Sequence, residues 1–184
     1  LIRYLKRFHQ TYPDVRIKVT NSTSIGCAEL LQKGQVDFIV CNYPNSGLRG
    51  HFQIKKLMDF QDIFVANPEY FPVDSNHTDL KKIMDYPILM LSSKTTTSEY
   101  LHKVFASHNL KLLPEVELNS NDLLVDLARI GLGIACVPDY MLNYNKELTQ
   151  IELEEPLPAR QLVLVQHDEL PISQAAERFL KMFE

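Results

Sequence analysis

Two stretches rich in hydroxyl side chains are the part of this sequence best suited to bind a ligand. The first covers residues 21–24, the second covers 92–98, and Ser120-Asn121 forms a shorter third stretch. Each long stretch follows a strand-like apolar run and precedes a helix-like pattern. Free backbone N–H groups at the start of a helix attract anions, and hydroxyl groups add short hydrogen bonds. The chemistry indicated is recognition of a small polar or anionic molecule.

The same residue types also cap helices, and this second interpretation stays open for every stretch. Ser, Thr and Asn are preferred N-cap residues because their side chains accept hydrogen bonds from free helical N–H groups. The seven residues from Ser92 to Ser98 are all polar, and only Lys94 among them is charged. A cap alone requires fewer polar residues than this.

The sequence contains no comparable motif for catalysis or for metal binding. The sequence has no Gly-x-Ser-x-Gly elbow, no P-loop and no His-Glu-x-x-His motif. Gly131-Leu132-Gly133 resembles the start of a dinucleotide-binding fingerprint, but it follows a predicted helix and precedes a strand, the reverse of what pyrophosphate binding needs. The six histidines show no metal-ligand spacing. We therefore expect no enzyme activity, no catalytic residue, no cofactor and no metal site.

The three cysteines, Cys27, Cys41 and Cys136, are odd in number and far apart, which argues against a disulfide framework. This usage is typical of a reducing cytoplasm. Cys27 falls in the first turn of a predicted helix, where the helix dipole can lower the pKa of a thiol. Two interpretations follow, a redox-sensitive thiol and a small core residue, and the second is favoured because no partner cysteine lies nearby in sequence.

Composition and charge exclude several classes of protein. The chain has 184 residues and a mass of 21.2 kDa, with 45% hydrophobic and 23% charged residues, as in ordinary globular domains. With a net charge of -4, the chain lacks the positive charge needed to neutralise the phosphates of a nucleic acid by itself. No apolar run is long enough to cross a bilayer, and no signal peptide is visible. The first residue is Leu1 and not Met, so we expect a leader or a further domain upstream.

Predicted helices and buried strands alternate along the chain. Apolar periodicity predicts helices over 1–12, 25–33 and 78–84, and further helices through 101–108, 123–128 and 176–183. Predicted strands cover 15–20, 36–41, 52–57, 61–66, 88–91, 116–118, 134–137 and 162–165. Such alternation predicts an α/β fold with largely parallel sheets. Two sheets linked by crossing strands fit the two groups of units better than one long sheet.

Several stretches together resemble the effector-binding domain of LysR-type transcriptional regulators. The resemblance covers essentially the whole chain, and the order and spacing of its parts are more specific than any part alone. The matching stretches are Phe8-His9-x-x-Tyr12-Pro13-x-Val15-x-Ile17, Glu29-x-Leu31-x-x-Gly34-x-Val36-Asp37-Phe38-Ile39, Leu127-x-x-x-Gly131-x-Gly133-Ile134-x-x-Val137-Pro138 and Ser173-x-Ala175-Ala176-x-x-Phe179-Leu180.

The resemblance implies a bilobed fold like that of type 2 periplasmic binding proteins. Residues 1–62 and 151–184 would form the first lobe and residues 63–150 the second, with a small effector between them. Positions carried over from the family predict a first-lobe ligand turn and a second-lobe ligand turn. The candidate ligand-binding residues are Thr23, Ser24, Ser93, Lys94, Thr95, Thr96, Thr97 and Asn121.

The resemblance also implies partners and a location. Such regulators are bacterial and cytoplasmic, form homodimers or homotetramers, and bind promoter DNA through an N-terminal winged helix-turn-helix that this chain lacks. RNA polymerase is a further candidate partner, and no membrane contact is expected. One alternative stays open, a solute-binding protein that delivers a nutrient to a transporter, because the same fold serves both purposes. The codons upstream of Leu1 would distinguish the two, since the alternative requires a signal peptide there.

Overall fold

Two separate β-sheets and the helices packed on them make up the fold. The computed structural model describes residues 1–72 and 77–183. The α-helices of the described residues are α1 Ile2–Thr11, α2 Ser24–Gln32, α3 Leu80–Ile83, α4 Thr96–Ser107, α5 Asn121–Arg129 and α6 Gln174–Leu180. The strands are β1 Phe38–Tyr43, β2 Phe52–Phe60, β3 Asp62–Ala66, β4 Ile88–Leu91, β5 Val116–Leu118, β6 Ile134–Pro138, β7 Thr149–Ile151 and β8 Arg160–His167. Asp139–Tyr144 and Lys181–Phe183 form short 3-10 helices.

Sheet A has three strands in the order β1-β8-β2, and both of its pairings are antiparallel. The late strand β8 lies in the middle, where Val165 pairs with Ile39 on one side and with Ile54 on the other. The prediction of mostly parallel sheets is therefore wrong for sheet A. The reason is that β8 returns from the end of the chain and runs opposite to both of its neighbours.

The predicted strand over residues 15–20 does not form. Alternating apolar residues make a strand only when a neighbour completes the hydrogen-bond ladder, and this segment pairs with no strand in the described part of the chain. Its apolar side chains are correspondingly accessible, with Ile17 41% and Val19 64% exposed. The helix that follows, α2, forms as predicted, one residue earlier at each end.

Sheet B has five strands in the order β5-β4-β6-β3-β7 and is mixed. Strand β4 pairs in parallel with β5 and β6, whereas β3 is antiparallel to β6 and β7. The parallel prediction therefore holds only for half of this sheet. Strand β7 was not predicted, because its three residues contribute only one apolar side chain, Ile151.

The chain crosses between the two sheets at two places. Strand β2 of sheet A ends at Phe60, and β3 of sheet B begins at Asp62, with only Gln61 between them. The return path is the segment 152–159, which leads from β7 into β8. The two crossings touch, because the side-chain amide of Gln61 donates to the carbonyl oxygen of Leu157. This arrangement matches the predicted pair of sheets joined by crossing segments.

Sheet B is covered on both faces, which explains why its central strands read as continuous apolar runs. On one face Phe64 packs with Leu101 and Phe105 of α4, and on the other Val65 packs with Leu124 of α5. Helix α3 joins the first of these clusters, and it lies inside the predicted range 78–84 with Asp79 as its N-cap. Thr78 instead forms an isolated bridge with Leu153.

Sheet A packs against α2 on one side, and an aromatic cluster ties α1 and α6 to its edge. Phe179 of α6 lies 5.2 Å from the ring centroid of Phe8 in α1 and 5.4 Å from that of Phe38 in β1. Phe183 stacks on Tyr4 at 4.1 Å. Ser173 is the N-cap of helix α6, since its hydroxyl accepts a hydrogen bond from the backbone N–H of Ala176.

Candidate functional site

The predicted second-lobe turn lies at the carboxyl end of β4 and leads into α4. Thr95 is the N-cap of α4, since its hydroxyl accepts a hydrogen bond from the Ser98 N–H at 3.2 Å and donates to the Ser92 carbonyl at 2.8 Å. Its hydroxyl is thereby fully used, which favours the capping interpretation for this residue. Ser93 and Lys94 lie on the outer side of the turn and are exposed.

The next two hydroxyl groups point into the protein and meet an arginine. The Thr96 hydroxyl accepts a hydrogen bond from Nη2 of Arg160 at 3.1 Å, and the Thr97 hydroxyl accepts one from Nη1 at 3.0 Å. Thr96 and Thr97 are 4% and 3% exposed, and Arg160 is 2% exposed. These two threonines have no capping role, so their burial against a charged group requires another explanation.

An ion pair balances the charge of Arg160. Its Nη1 donates to Oδ2 of Asp62 at 2.7 Å, and both side chains are buried. The guanidinium carbon also lies 4.8 Å from the ring centroid of Tyr100 and 5.4 Å from that of Phe60, as in cation–π contacts. Burial raises the pKa of Asp62, and the neighbouring guanidinium opposes that rise.

Two atoms of this ion pair are left without a partner. Oδ1 of Asp62 and Nε of Arg160 are buried and make no hydrogen bond within the described residues. Such groups carry a desolvation cost that a ligand atom or a water molecule can relieve. The pair is therefore not a saturated structural contact.

Neither Asp62 nor Arg160 was among the predicted site residues. Each stands at the start of an apolar strand, Asp62 before Ile63 and Arg160 two residues before Leu162. A charged residue at such a position is usually solvated, so the pattern favours no site. What marks both residues is that each lies directly after a crossing between the sheets, and this position is known only from the topology.

The predicted first-lobe turn precedes α2. Thr23 is the N-cap of that helix, and its hydroxyl accepts a hydrogen bond from the Gly26 N–H at 3.1 Å. The Ser24 hydroxyl accepts one from the Asn42 N–H at 3.1 Å, which ties the start of α2 to the end of β1. The Asn45 side chain donates to the Ser24 carbonyl at 2.8 Å. Both predicted residues therefore have structural partners.

A chain of contacts joins the first turns of α2 and α4. Asn45, which is bound to Ser24, is followed by Ser46, whose hydroxyl donates to Oε1 of Glu99 at 2.9 Å. Glu99 lies in the first turn of α4. Tyr100, the next residue, donates from its hydroxyl to the Pro158 carbonyl at 2.7 Å. These contacts link the start of α2 to the start of α4 indirectly, through Asn45, Ser46 and Glu99, across the boundary between the sheets.

The third turn, at the start of α5, lies beside that of α4. The Ser92 N–H donates to the Leu118 carbonyl at 2.9 Å, and the Ser92 hydroxyl donates to the side chain of Asn119. Ser120 caps α5, and Oδ1 of Asn121 is buried without a hydrogen-bond partner in the described residues. Asn121 is therefore adjacent to the α4 turn, with one unused acceptor.

Two cavities lie away from the predicted residues. One, of about 250 Å³, is formed between the end of α2 and the segment after β8, with Asp37 and His167 in its wall. The other, of about 80 Å³, borders Asp62 and the loop at Leu157. Neither is lined by any of the candidate residues. Thr96 and Thr97 are themselves buried, so their hydroxyls are closed off from solvent in this structure.

Cys27 is partly buried and lies at the edge of a core cluster. It packs against the cluster formed by α2 and sheet A, and burial raises the pKa of its thiol, opposite to the effect expected of a reactive cysteine. Within residues 1–72 and 77–183, no group of three His, Cys, Asp or Glu side chains is arranged to hold a metal ion. In the same residues, no helix has the length and apolarity required to span a bilayer.

Two sheets joined by two crossings, with helix starts meeting between them, define an α/β ligand-binding domain. The family model described as LysR substrate binding domain matches residues 1–184, so the chain belongs to this family. This confirms the resemblance seen in the sequence. The proteins of the family matched below are transcriptional regulators and not enzymes.

Relatives and solved structures agree with this assignment. The chain is 24% identical over 182 residues to the HTH-type transcriptional activator CmpR of Synechocystis sp., covering 97% of this chain and 59% of the relative. It is 21% identical to the uncharacterized HTH-type transcriptional regulator YbhD of Escherichia coli, covering 96% of this chain and 56% of the relative. The chain therefore spans little more than half the length of these curated relatives.

The fold matches solved regulatory domains over nearly the whole chain. The regulatory domain of CcmR from Synechocystis, in complex with 2-PG, superposes with a TM-score of 0.87 at 17% identity, covering 99% of this chain and 88% of that one. The effector-binding domain of QuiR, in complex with shikimate, gives 0.84 at 16% identity, covering 99% and 87%. The predicted fold class, like that of periplasmic binding proteins, is thereby confirmed.

Proposed function

We propose that this chain is the ligand-sensing domain of a bacterial LysR-type transcriptional regulator. Sheet A and its helices form one lobe, sheet B and its helices form the other, and a small polar metabolite binds between them. The observation that carries this proposal is the pair of buried hydroxyls of Thr96 and Thr97 at the start of α4, hydrogen bonded to Arg160 at the crossings.

The chemistry of the α4 turn favours an acidic group on the ligand. The backbone N–H groups of Thr96 and Thr97 make no hydrogen bond within the described part of the chain, as expected in the first turn of a helix. They attract an anion together with the positive end of the helix dipole. The neighbouring solved domains hold 2-PG and shikimate, and shikimate carries a carboxylate.

The closed turns imply that a ligand enters when the lobes separate. The Ser46–Glu99 and Tyr100–Pro158 hydrogen bonds are the contacts to be broken first, because both bridge the two parts and both are partly exposed. A ligand with higher affinity for one arrangement of the lobes shifts the population toward it. In a dimer or tetramer, this shift changes the geometry of the assembly and hence of the DNA-binding domains.

The remaining partners follow from the family. The complete regulator would bind promoter DNA through an N-terminal winged helix-turn-helix, act as a homodimer or homotetramer in the cytoplasm, and contact RNA polymerase. The alternative of a solute-binding protein receives no support from the matched relatives, since these are transcriptional regulators.

Isothermal titration of the purified chain against small carboxylates, phosphate and amino acids tests the proposal. The double variant Thr96→Val/Thr97→Val keeps the side-chain shape and removes both hydroxyls. We expect binding of an acidic metabolite by the wild type and a loss of at least roughly tenfold in affinity in the variant. Ser93→Ala, at an exposed position of the same turn, is the matched control and should bind as the wild type does. Equal affinity of the wild type and the double variant for every ligand that binds contradicts the proposal.

A further inference from the structure

The larger cavity, of about 250 Å³, lies at the end of sheet A that is far from the α4 turn. Its walls come from the end of α2, the start of β1 and the segment after β8. Strand β8 begins at Arg160 and ends at His167, so roughly 23 Å of strand separates this cavity from the buried ion pair. The cavity is therefore a different place from the site of the proposed function.

Two segments face each other across this cavity. Helix α2 stops before Gly34, whose φ of +63° turns the chain toward β1. Leu170, in the segment after β8, lies opposite, with its Cδ1 3.6 Å from the place that a Cβ on Gly34 would take. The carboxyl end of a helix carries the negative end of its dipole, so the wall formed by the end of α2 attracts a positive group.

His167 brings one hydrogen-bond donor to the wall. Its Nδ1 accepts the backbone N–H groups of Glu169 at 3.1 Å and of Leu170 at 3.2 Å. A ring nitrogen that accepts carries no hydrogen, so the hydrogen of the neutral imidazole lies on Nε2. Nε2 makes no hydrogen bond within residues 1–72 and 77–183, and it can donate to an oxygen atom of a ligand.

Asp37 brings a carboxylate to the same wall. Its Oδ1 accepts the Ser173 N–H at 2.9 Å, which holds the side chain in place. Its Oδ2 has no hydrogen bond or ion pair in the described part of the chain. The two segments that form these walls, residues 33–37 and 167–172, contain three carboxylates, of Asp37, Asp168 and Glu169, and a single cation, Lys33. The charge around the cavity is therefore negative.

We infer that this cavity binds a small molecule that carries a protonated amine next to an apolar group. The amine lies at Asp37 and the carboxyl end of α2. The apolar group packs on Leu31, Leu170 and Ile172, which line the cavity. His167 adds a donor for an oxygen atom beside the amine, as in an amino alcohol. The site goes beyond the proposed function, and its ligand is opposite in charge to the acid proposed for the α4 turn.

Three compounds with the same carbon skeleton test the inference. Isoamylamine, isoamyl alcohol and isovalerate carry an ammonium, a hydroxyl and a carboxylate, and each is titrated into the labelled chain by NMR at constant ionic strength. We expect the amine to bind with a dissociation constant on the order of 1 mM, about fivefold tighter than the alcohol, with shifts at the amides of Val36 and Ile172. Isovalerate should leave these amides unshifted.

Two variants remove one polar group each. Asp37→Asn keeps an oxygen for the Ser173 N–H and removes the charge, so it should weaken isoamylamine about fivefold and leave isoamyl alcohol unchanged. Asp168→Asn is the matched control, because it makes the same change in net charge at an exposed neighbour outside the wall; it should bind as the wild type does.

His167→Asn keeps an acceptor for the two backbone N–H groups and removes the Nε2 donor. Leucinol, which is isoamylamine with an added hydroxymethyl group, should bind this variant about threefold more weakly than the wild type, and isoamylamine should bind both equally.

Other results would overturn the inference. Equal binding of isoamylamine and isovalerate would mean that apolar surface alone holds them, and equal weakening by Asp37→Asn and Asp168→Asn would mean that diffuse charge does. If no compound shifts the amides of Val36 and Ile172, the cavity holds water only. Each of these results leaves the proposed function standing, because that function depends on the binding of acids at the α4 turn.

Discussion

Arg160 and Asp62 form a buried ion pair, and each is the first residue of the strand that follows one of the two crossings between the sheets. Nη1 of Arg160 lies 2.7 Å from Oδ2 of Asp62, and the residues are 2% and 1% exposed. Phe60, the last residue of β2, pairs with Arg160 in the sheet A ladder. The ion pair therefore joins the outward and the return crossing at the place where the two halves of the fold meet.

Removing one member of this pair should be costly, because the other is left buried and uncompensated. We expect Asp62→Leu or Arg160→Met to lower the free energy of unfolding by about 3–5 kcal/mol. The double variant should lose less than either single variant, since no isolated charge remains. Urea denaturation of all four proteins gives the interaction free energy, and additive losses would show that the two side chains are not coupled.

Gly133 and Gly131 should respond differently to alanine. A Cβ at Gly133 would overlap the carbonyl oxygen of Pro87, which accepts the Ile134 N–H, so the backbone between β4 and β6 must move. At Gly131 the added atom meets the inner ring atoms of Tyr70, so this exposed side chain must swing as a whole into solvent, and the φ of +79° adds a backbone cost.

We expect a loss in unfolding free energy of about 3 kcal/mol for Gly133→Ala and about 1 kcal/mol for Gly131→Ala. Thermal unfolding followed by circular dichroism gives both values. The reverse order of the two losses would mean that the Tyr70 contact, and not the Pro87 backbone, is the tighter one.

Phe179 should hold α1 on the fold. It contacts Phe8 in α1, Phe38 in β1 and Phe183 near the end of the chain, and it is 4% exposed. We expect Phe179→Ala to cost about 3–4 kcal/mol and to expose α1 to protease cleavage. Phe183→Ala, at a less buried ring of the same cluster, is the control and should cost less. Limited proteolysis with mass spectrometry locates the cuts, and protection of α1 in Phe179→Ala would contradict this role.

Cys41 should make stability depend on alkaline pH. Burial raises the pKa of this thiol from 9.0 to about 11, so the folded chain keeps the proton that the unfolded chain loses. The stabilisation is therefore fully present below pH 9 and is lost as the pH rises toward 11, by up to about 2 kcal/mol.

Urea midpoints of the wild type and of Cys41→Ala across this pH range isolate the effect. Other groups titrate equally in both proteins, so the wild type should show the steeper decline. Parallel curves for the two proteins would rule out a contribution from the thiol.

Most helices and strands could be predicted because each carries its own signal. Strand β6, for example, is a continuous apolar run bounded by Gly133 and Pro138, and α6 starts at a serine cap. Strand direction could not be predicted in the same way. The direction of a strand depends on which distant strand lies beside it, as β8 lies between β1 and β2. Whether a strand forms at all depends on the same thing, because the alternating residues 15–20 have no neighbouring strand to pair with.

The candidate site was predictable only in its hydroxyl half. Runs such as 92–98 stand out because polar residues in excess of a helix cap are visible in one stretch of sequence. Asp62 and Arg160 are 98 residues apart and come together only through the two crossings. Among the residues that were predicted, Thr23 and Thr95 cap helices, and Ser93 and Lys94 are exposed. The hydroxyls of Thr96 and Thr97 are buried against Arg160, and their role in ligand binding stays a prediction.

The position of β8 in the middle of sheet A has a consequence for synthesis on the ribosome. All five strands of sheet B lie within residues 62–151, so this sheet can assemble as soon as that span has left the exit tunnel. Strands β1 and β2 emerge earlier yet have no direct ladder to each other; both wait for residues 160–167 to fill the gap. The middle of this domain can thus assemble on the ribosome before its first two strands, whose edges stay unpaired in sheet A until residues 160–167 have emerged.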